Sequence, residues 1–251
     1  FGSPVYFFYG AAVFYAATPG LGVFKRVGGA GRWTATNTGL SANAVNVLQI
    51  DPTAPNVLYA GLTDGVYKST DGGATWTKKS AGMPDGSDVR AIVLAPSRPS
   101  VLYAGTLSGG VYRSATGAEA WDAITNNLPT VPIQTLAVSP LNPLQVYAGT
   151  SSGLYLTVLR SMPRQTSWEV GRGPAAVAAA NLDTSALLDL AVANSADNTV
   201  SVLLNRDGGL LLRKDIPVGG GPRSIVVADV DGDGKRDLIT GNRVGMGATI
   251  L

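Results

Sequence analysis

VNVLQIDPTAPNVLYAGLTDGVYKSTDGGATW, residues 45 to 76, holds three apolar runs of strand length: VNVLQI, VLYAGL and GVYKS. DPTAPN separates the first two, and TD followed by Gly65 the next two. Proline has no N–H to give a strand ladder there, and proline and glycine both suit a tight turn. The runs are rich in β-branched and aromatic residues and too short for helices. The stretch therefore reads as successive antiparallel strands, followed by the turn STDGGATW and an apolar Trp76.

The same unit recurs along the chain. Tyr15, Tyr59, Tyr103 and Tyr147 each open a YAA or YAG triplet, 44 residues apart. Pro52, Pro96 and Pro140 keep that spacing, as do Val45, Val89 and Ile133. After each tyrosine come GVFK, GVYK, GVYR or GLYL and then a tryptophan: Trp33, Trp76, Trp121 and Trp168. A period of this length with three or four short strands per unit is the signature of a β-propeller blade. The phase also decides the N-terminus. Residues 1 to 24 carry no charge, but the repeat places VYFFYG and VFYAA on the first two strands of a blade. That predicts propeller core rather than a membrane span, with the glycines and prolines of the segment arguing the same way.

From residue 171 the period changes. GRGPAAVAAANLDTSALLDLAVAN aligns without a gap to GGGPRSIVVADVDGDGKRDLITGN at an offset of 48, so that Asp183 matches Asp231 and Asp189 matches Asp237. The TVSVLLN strand at 199 to 205 maps onto residues 247 to 251 and two positions beyond, and LLLRKDIPV has no counterpart. The expected fold is all-β: a propeller of six, or seven, four-stranded blades with the last incomplete. Residues 1–170 supply four blades of one type and residues 171–251 two of another, in the same propeller. Either the natural protein continues or the ring closes with material outside this stretch.

Two resemblances accompany these repeats. STDGGATW, with Ser69, Asp71, Gly73, Thr75 and Trp76, resembles the Asp-box of sialidase-type (BNR) propellers; the copies ending at Trp33, Trp121 and Trp168 are degenerate. The 48-residue units resemble the FG-GAP/VCBS repeats of integrin-α-like propellers. The first implies a structural turn, the second a calcium loop. DVDGDGKRDL, residues 229 to 238, holds four of the chain's aspartates, which repel one another unless a cation or strong donors intervene. The resemblance implies Ca²⁺ held by the side chains of Asp229, Asp231, Asp233 and Asp237 and the carbonyl of Lys235. Alternate side chains converging on one centre, with Gly232 and Gly234 permitting the bend, follow the logic of an EF-hand loop. The earlier copy, Asn181 to Asp189, has lost two of the four charges and both glycines, and is expected to be vestigial.

Composition narrows the function. Nineteen basic and 17 acidic residues give a net charge of +2 without a basic block, so no nucleic-acid partner is expected. The absence of cysteine excludes disulfides and thiolate metal sites, and the absence of histidine removes the commonest general base. Glu119 and Glu169 are the only glutamates, and Asp51 is replaced by Phe7, Ala95 and Ser139 in the other units. The sequence thus predicts no enzyme, no catalytic residue and no cofactor other than Ca²⁺. The expectation is a non-catalytic, calcium-stabilised propeller in an extracellular, cell-surface or periplasmic setting, binding a protein or glycan ligand. The alternatives are a fragment of a sialidase- or endoglucanase-like propeller hydrolase, or an assembly factor resembling photosystem II stability factors.

Overall fold

The computed structural model describes residues 5–7, 13–28, 31–42, 44–124, 131–139, 142–158, 166–183, 185, 187–206, 209–244 and 247–251. Among these there is no helix, and none long and apolar enough to cross a membrane. The chain divides into two compact units, Ser3–Thr125 and Asn126–Leu251 with Phe1–Gly2. This division falls inside the 44-residue repeats, whereas the change of repeat type comes at residue 171.

The first unit contains three four-stranded antiparallel sheets, each a meander in chain order. They are β1 (Val5–Phe7), β2 (Val13–Thr18), β3 (Gly22–Val27) and β4 (Thr34–Ala35); β5 (Val45–Ile50), β6 (Leu58–Leu62), β7 (Gly65–Ser69) and β8 (Thr77–Lys78); and β9 (Val89–Ala95), β10 (Arg98–Thr106), β11 (Val111–Ser114) and β12 (Asp122–Ala123). The second unit has β13 (Ile133–Val138), β14 (Gln145–Thr150), β15 (Gly153–Val158) and β16 (Thr166–Trp168); β17 (Pro174–Ala180), β18 (Asp189–Asn194), β19 (Thr199–Arg206) and β20 (Gly209–Pro217); and a three-stranded sheet of β21 (Pro222–Ala228), β22 (Asp237–Asn242) and β23 (Ala248–Ile250). The last sheet is one strand short, as the missing counterpart of LLLRKDIPV predicts. In VYFFYG only Val5–Phe7 is described, and it pairs with β2 as expected.

The repeated tyrosine lies on the second strand of each of the first four sheets, and Tyr15, Tyr59, Tyr103 and Tyr147 are all buried. Glycine two residues later has a packing reason. A Cβ on Gly61 would meet Val47 Cγ1 at 2.6 Å and Val89 Cγ1 of the next sheet at 2.7 Å. Neighbouring sheets within a unit therefore approach closely over the second strand. Burial of Leu48, Leu58, Tyr67 and Trp76 joins the first two sheets, and Tyr59, Leu102 and Trp121 join the second to the third. Removing such side chains from water is the main favourable contribution to folding.

Polar contacts fix the sheet-to-sheet register. Trp76 donates its backbone N–H to the carbonyl of Thr38 (2.8 Å) and its indole N–H to that of Thr36 (2.9 Å). Trp121 repeats both bonds one sheet later, to Ala81 (2.8 Å) and Lys79 (2.8 Å). Lysine on the third strand caps the turn that precedes the next tryptophan: Lys25 donates to the Gly72 carbonyl at 2.9 Å and Lys68 to that of Gly117 at 2.8 Å. Within the Ser69–Trp76 turn, Asp71 accepts from the hydroxyl (2.6 Å) and backbone N–H (2.9 Å) of Thr75, and Ser69 Oγ accepts from Gly73 N–H at 2.8 Å. In the third sheet the Thr116 hydroxyl takes the place of that carboxylate, accepting from Ala120 N–H at 3.2 Å.

These bonds, first of all the Thr75 hydroxyl, hold the Asp71 carboxyl down at about 2. A depressed folded-state value means that its contribution to stability is fully present above the unfolded value of about 4. The contribution is lost as pH falls through about 2. Asp71→Ala should therefore melt below the wild type at pH 7, with the gap closing as pH approaches 2. Circular-dichroism melts that show a gap independent of pH would contradict this role.

Trp168 departs from its expected place. Trp33, Trp76 and Trp121 each immediately precede the outermost strand, but Trp168 is the last residue of β16, opposite Leu154. Lys79, whose N–H donates to the Val66 carbonyl, and Ile124, whose N–H donates to that of Val111, hold the equivalent position. Residues 161–165 of the degenerate turn lie outside the described residues.

Candidate metal centre

The loop from Asp229 to Asp237 joins β21 to β22 at the exposed end of the last sheet. Gly232 and Gly234 have φ of 80° and 83°, the left-handed region that glycine enters without a Cβ clash, and the loop bends there. Asp229 accepts from Gly232 N–H at 2.7 Å and, through its other oxygen, from Gly234 N–H at 2.9 Å. Asp231 accepts from Asp233 N–H at 3.1 Å, and Asp237 from Val230 N–H at 2.7 Å. Each such bond uses part of an oxygen's capacity, since an ionised carboxylate has about four lone-pair sites.

The structure brings together three of the predicted side-chain ligands. One carboxylate oxygen from each of Asp229, Asp231 and Asp237 lies within 4.8 Å of the others. Asp233 is engaged by Lys235 instead, accepting its backbone N–H at 2.8 Å and its ammonium at 2.9 Å. The Lys235 ammonium, followed by its backbone N–H, holds the Asp233 carboxyl below the usual carboxylate range. Both side chains are well exposed, so this ion pair is of the weak surface kind.

The donor set fits calcium. Ca²⁺ takes hard oxygen ligands at about 2.3–2.6 Å, so oxygens on opposite sides of it stand roughly 4.6–5.2 Å apart. The oxygens of Asp229, Asp231 and Asp237, all within 4.8 Å of one another, lie close enough to share one such ion.

The earlier loop is built differently on the same register. Asp189 is fully buried and uses both oxygens on backbone N–H groups, Leu182 and Asn205, each at 2.8 Å. Its bond to Leu182 is the one that Asp237 makes to Val230, so the last aspartate of each loop has a structural duty. Asn181 closes its loop from inside, its amide donating to the Ser185 carbonyl, and Asp183 accepts from Ser185 N–H at 2.6 Å. Thr184 and Ala186 lie outside the described residues.

Asp51 is a turn acceptor. Its Oδ1 receives the Thr53 N–H (2.8 Å), the Thr53 hydroxyl (2.7 Å) and the Ala54 N–H (3.2 Å). Glu119 answers to Lys79 and Lys68. Glu169 borders a cavity between the fourth and fifth sheets, described below. Sequence reasoning passed over that cavity, although one signal was present. Trp33, Trp76 and Trp121 follow Val23, Val66 and Val111 by ten residues, whereas Trp168 follows Leu154 by 14.

The FG-GAP-like repeat family matches residues 181–240, which run from the earlier loop through most of β22. No curated protein sequence matches the chain. Among solved structures, an ancestral GH74 enzyme aligns over 95% of this chain with a TM-score of 0.63 and 13% identity. The chain spans 44% of that enzyme's length. The computationally designed Ika8 protein aligns over 97% of this chain and 69% of its own, with a TM-score of 0.65 and 13% identity. At this identity the likeness is one of fold.

The expectation of no enzyme is corrected by the first of these structures, a glycoside hydrolase on the same fold. Scarce glutamate and absent histidine carry less weight than the sequence reading gave them. A glycosidase works with a carboxylate pair to which aspartate contributes equally, and 15 of the 17 acidic residues here are aspartates. The fold is all-β and propeller-like, and residues 181–240 match the FG-GAP-like repeat.

Proposed function

We propose that this chain is a calcium-stabilised propeller module of an extracellular, cell-surface or periplasmic protein that presents a binding surface to a protein or glycan partner. The convergence of Asp229, Asp231 and Asp237 carries the reading. Asp233 joins them when its exposed pair with Lys235 opens, and the Lys235 carbonyl completes the set. Bound there, calcium supplies the positive charge that lets three or four carboxylates share one turn. Loops of this exposure belong with extracellular calcium modules, whose dissociation constants are about 10⁻⁴–10⁻³ M, so the ion is retained where calcium is millimolar. The Ser69–Trp76 turn fits the Asp-box reading, its side chains bonding the turn while Trp76 binds the previous sheet.

Isothermal titration should find one calcium per chain, with no heat in Asp231→Ala and an unchanged isotherm in Asp183→Ala. Magnesium should bind far more weakly, because it demands a tighter octahedron. A calcium isotherm indifferent to Asp231→Ala would remove the proposal. The shared fold with a GH74 enzyme favours a second reading, part of a propeller glycoside hydrolase. Release of reducing sugar from a β-glucan by the purified chain would select it.

A further inference from the structure

A cavity of about 550 Å³ opens between the fourth and fifth sheets, walled by the Ser151–Gly153 turn, Tyr155, Trp168 and the segment from Glu169 to Pro174. The equivalent place is filled in the first two sheets. There the residue opposite the turn glycine folds inward: Asn37 Oδ1 accepts the Val23 N–H at 2.7 Å and Ser80 Oγ accepts the Val66 N–H at 2.9 Å. Asn37 and Ser80 leave no room for a Cβ on Gly22 or Gly65. Continuing the Leu154–Trp168 register puts Glu169 opposite Gly153, in the place of Asn37 and Ser80. Glu169 does not fold in. Its side chain is exposed, and the nearest atom to a Cβ on Gly153 is the Trp168 carbonyl oxygen at 3.9 Å.

The lining offers donors and acceptors in nearly equal measure. The Ser152 and Tyr155 hydroxyls stand 3.1 Å apart. Arg172 gives its Nε and its backbone N–H to Asp197, each at 2.7 Å, and its side chain as a whole is 84% exposed. Glu169 adds a carboxylate, and half-buried Trp168 an apolar ring. An anion would meet Glu169. A cation would meet Arg172, and its pairing with so exposed a glutamate is weak. A neutral polyol uses both kinds of group at once and sets its C–H face on the indole. The volume lies within the roughly 300–1,000 Å³ of pockets that bury drug-sized molecules, the bulk of two or three sugar rings.

We propose that this cleft binds a neutral oligosaccharide of two or three units, with Glu169, Ser152, Tyr155 and Arg172 reading its hydroxyls and Trp168 its apolar face. The inference rests on the binding-module reading for its ligand class and gives that reading a site. Saturation-transfer NMR and calorimetry on the calcium-loaded chain would use cellobiose, xylobiose, maltose and N,N′-diacetylchitobiose as probes, with 3′-sialyllactose as the anionic control. At least one neutral disaccharide should bind, and Glu169→Gln and Ser152→Ala should each weaken it about tenfold or more without moving the melting temperature. Glu119→Gln, at the other glutamate, should leave it unchanged. The site is overturned if no neutral probe shows transfer, or if binding survives both substitutions. Binding that survives keeps a glycan-binding module with its site elsewhere, and the calcium isotherm is read independently of either outcome.

Discussion

Trp121→Ala is expected to destabilise the chain by about 3–5 kcal/mol in urea unfolding, the range for removing a large aromatic side chain from a packed core. Trp121 is 3% exposed, in one cluster with Tyr59, Met83 and Leu102. Its loss leaves a cavity between the second and third sheets and strands the Lys79 carbonyl, which now accepts the indole N–H. Trp121→Phe separates the two effects: the ring is largely kept, and the unpaired carbonyl alone costs about 1–3 kcal/mol. Trp33→Ala is the control at the same repeat position. Trp33 is 41% exposed, its ring covered on one side by the Arg26 guanidinium 5.2 Å from its centre, and the change should cost under about 1 kcal/mol. Equal losses for Trp121→Ala and Trp33→Ala would show that the repeated tryptophans do not join the sheets.

That pair of residues also shows what the sequence disclosed. Spacing revealed which residues share a place, because strand length, turn length and the second-strand tyrosine are local properties repeated along the chain. Val45, Val89 and Ile133 each begin a strand, and the GVYK runs form the third strands. Exposure at a shared place was not legible, since it depends on the neighbouring sheet: Trp33 and Trp121 have the same local setting and different surroundings. Trp168 eluded the pattern for another reason. The segment before it is longer, and a strand's register changes with its connection.

The acidic loop was legible in the same limited way. Alternation put four carboxylates in one turn, and the positive φ of Gly232 and Gly234 matches the bend that glycine was assigned. Which aspartates converge could not be read from spacing, because it depends on what else each oxygen can accept. Asp233 lies two residues from a lysine able to fold back on it, and Asp237 carries the backbone bond to Val230 that Asp189 makes in the earlier loop. In that earlier loop the Asn181 amide supplies internally a donor of the kind that charge repulsion among Asp229, Asp231 and Asp237 requires from outside.

Calcium should therefore raise the melting temperature and chelator should lower it. At a hundredfold excess over the dissociation constant, binding to the folded state alone adds about 2.7 kcal/mol. For a chain of this size that corresponds to a shift of roughly 5–10 °C. Without the ion, the carboxylate oxygens of Asp229, Asp231 and Asp237 face one another within 4.8 Å, at the edge of the three-stranded sheet. Asp231→Ala removes one of these charges together with a ligand, so it should abolish the calcium response while melting no lower than the chelated wild type. Asp183→Ala should retain the full response. Asp189→Ala is expected to lower melting with calcium and without it, since its carboxylate holds Leu182 and Asn205 rather than an ion. Scanning calorimetry that gives one melting temperature in calcium and in chelator would mean that backbone N–H groups alone satisfy the cluster, and that the loop is a solvated turn.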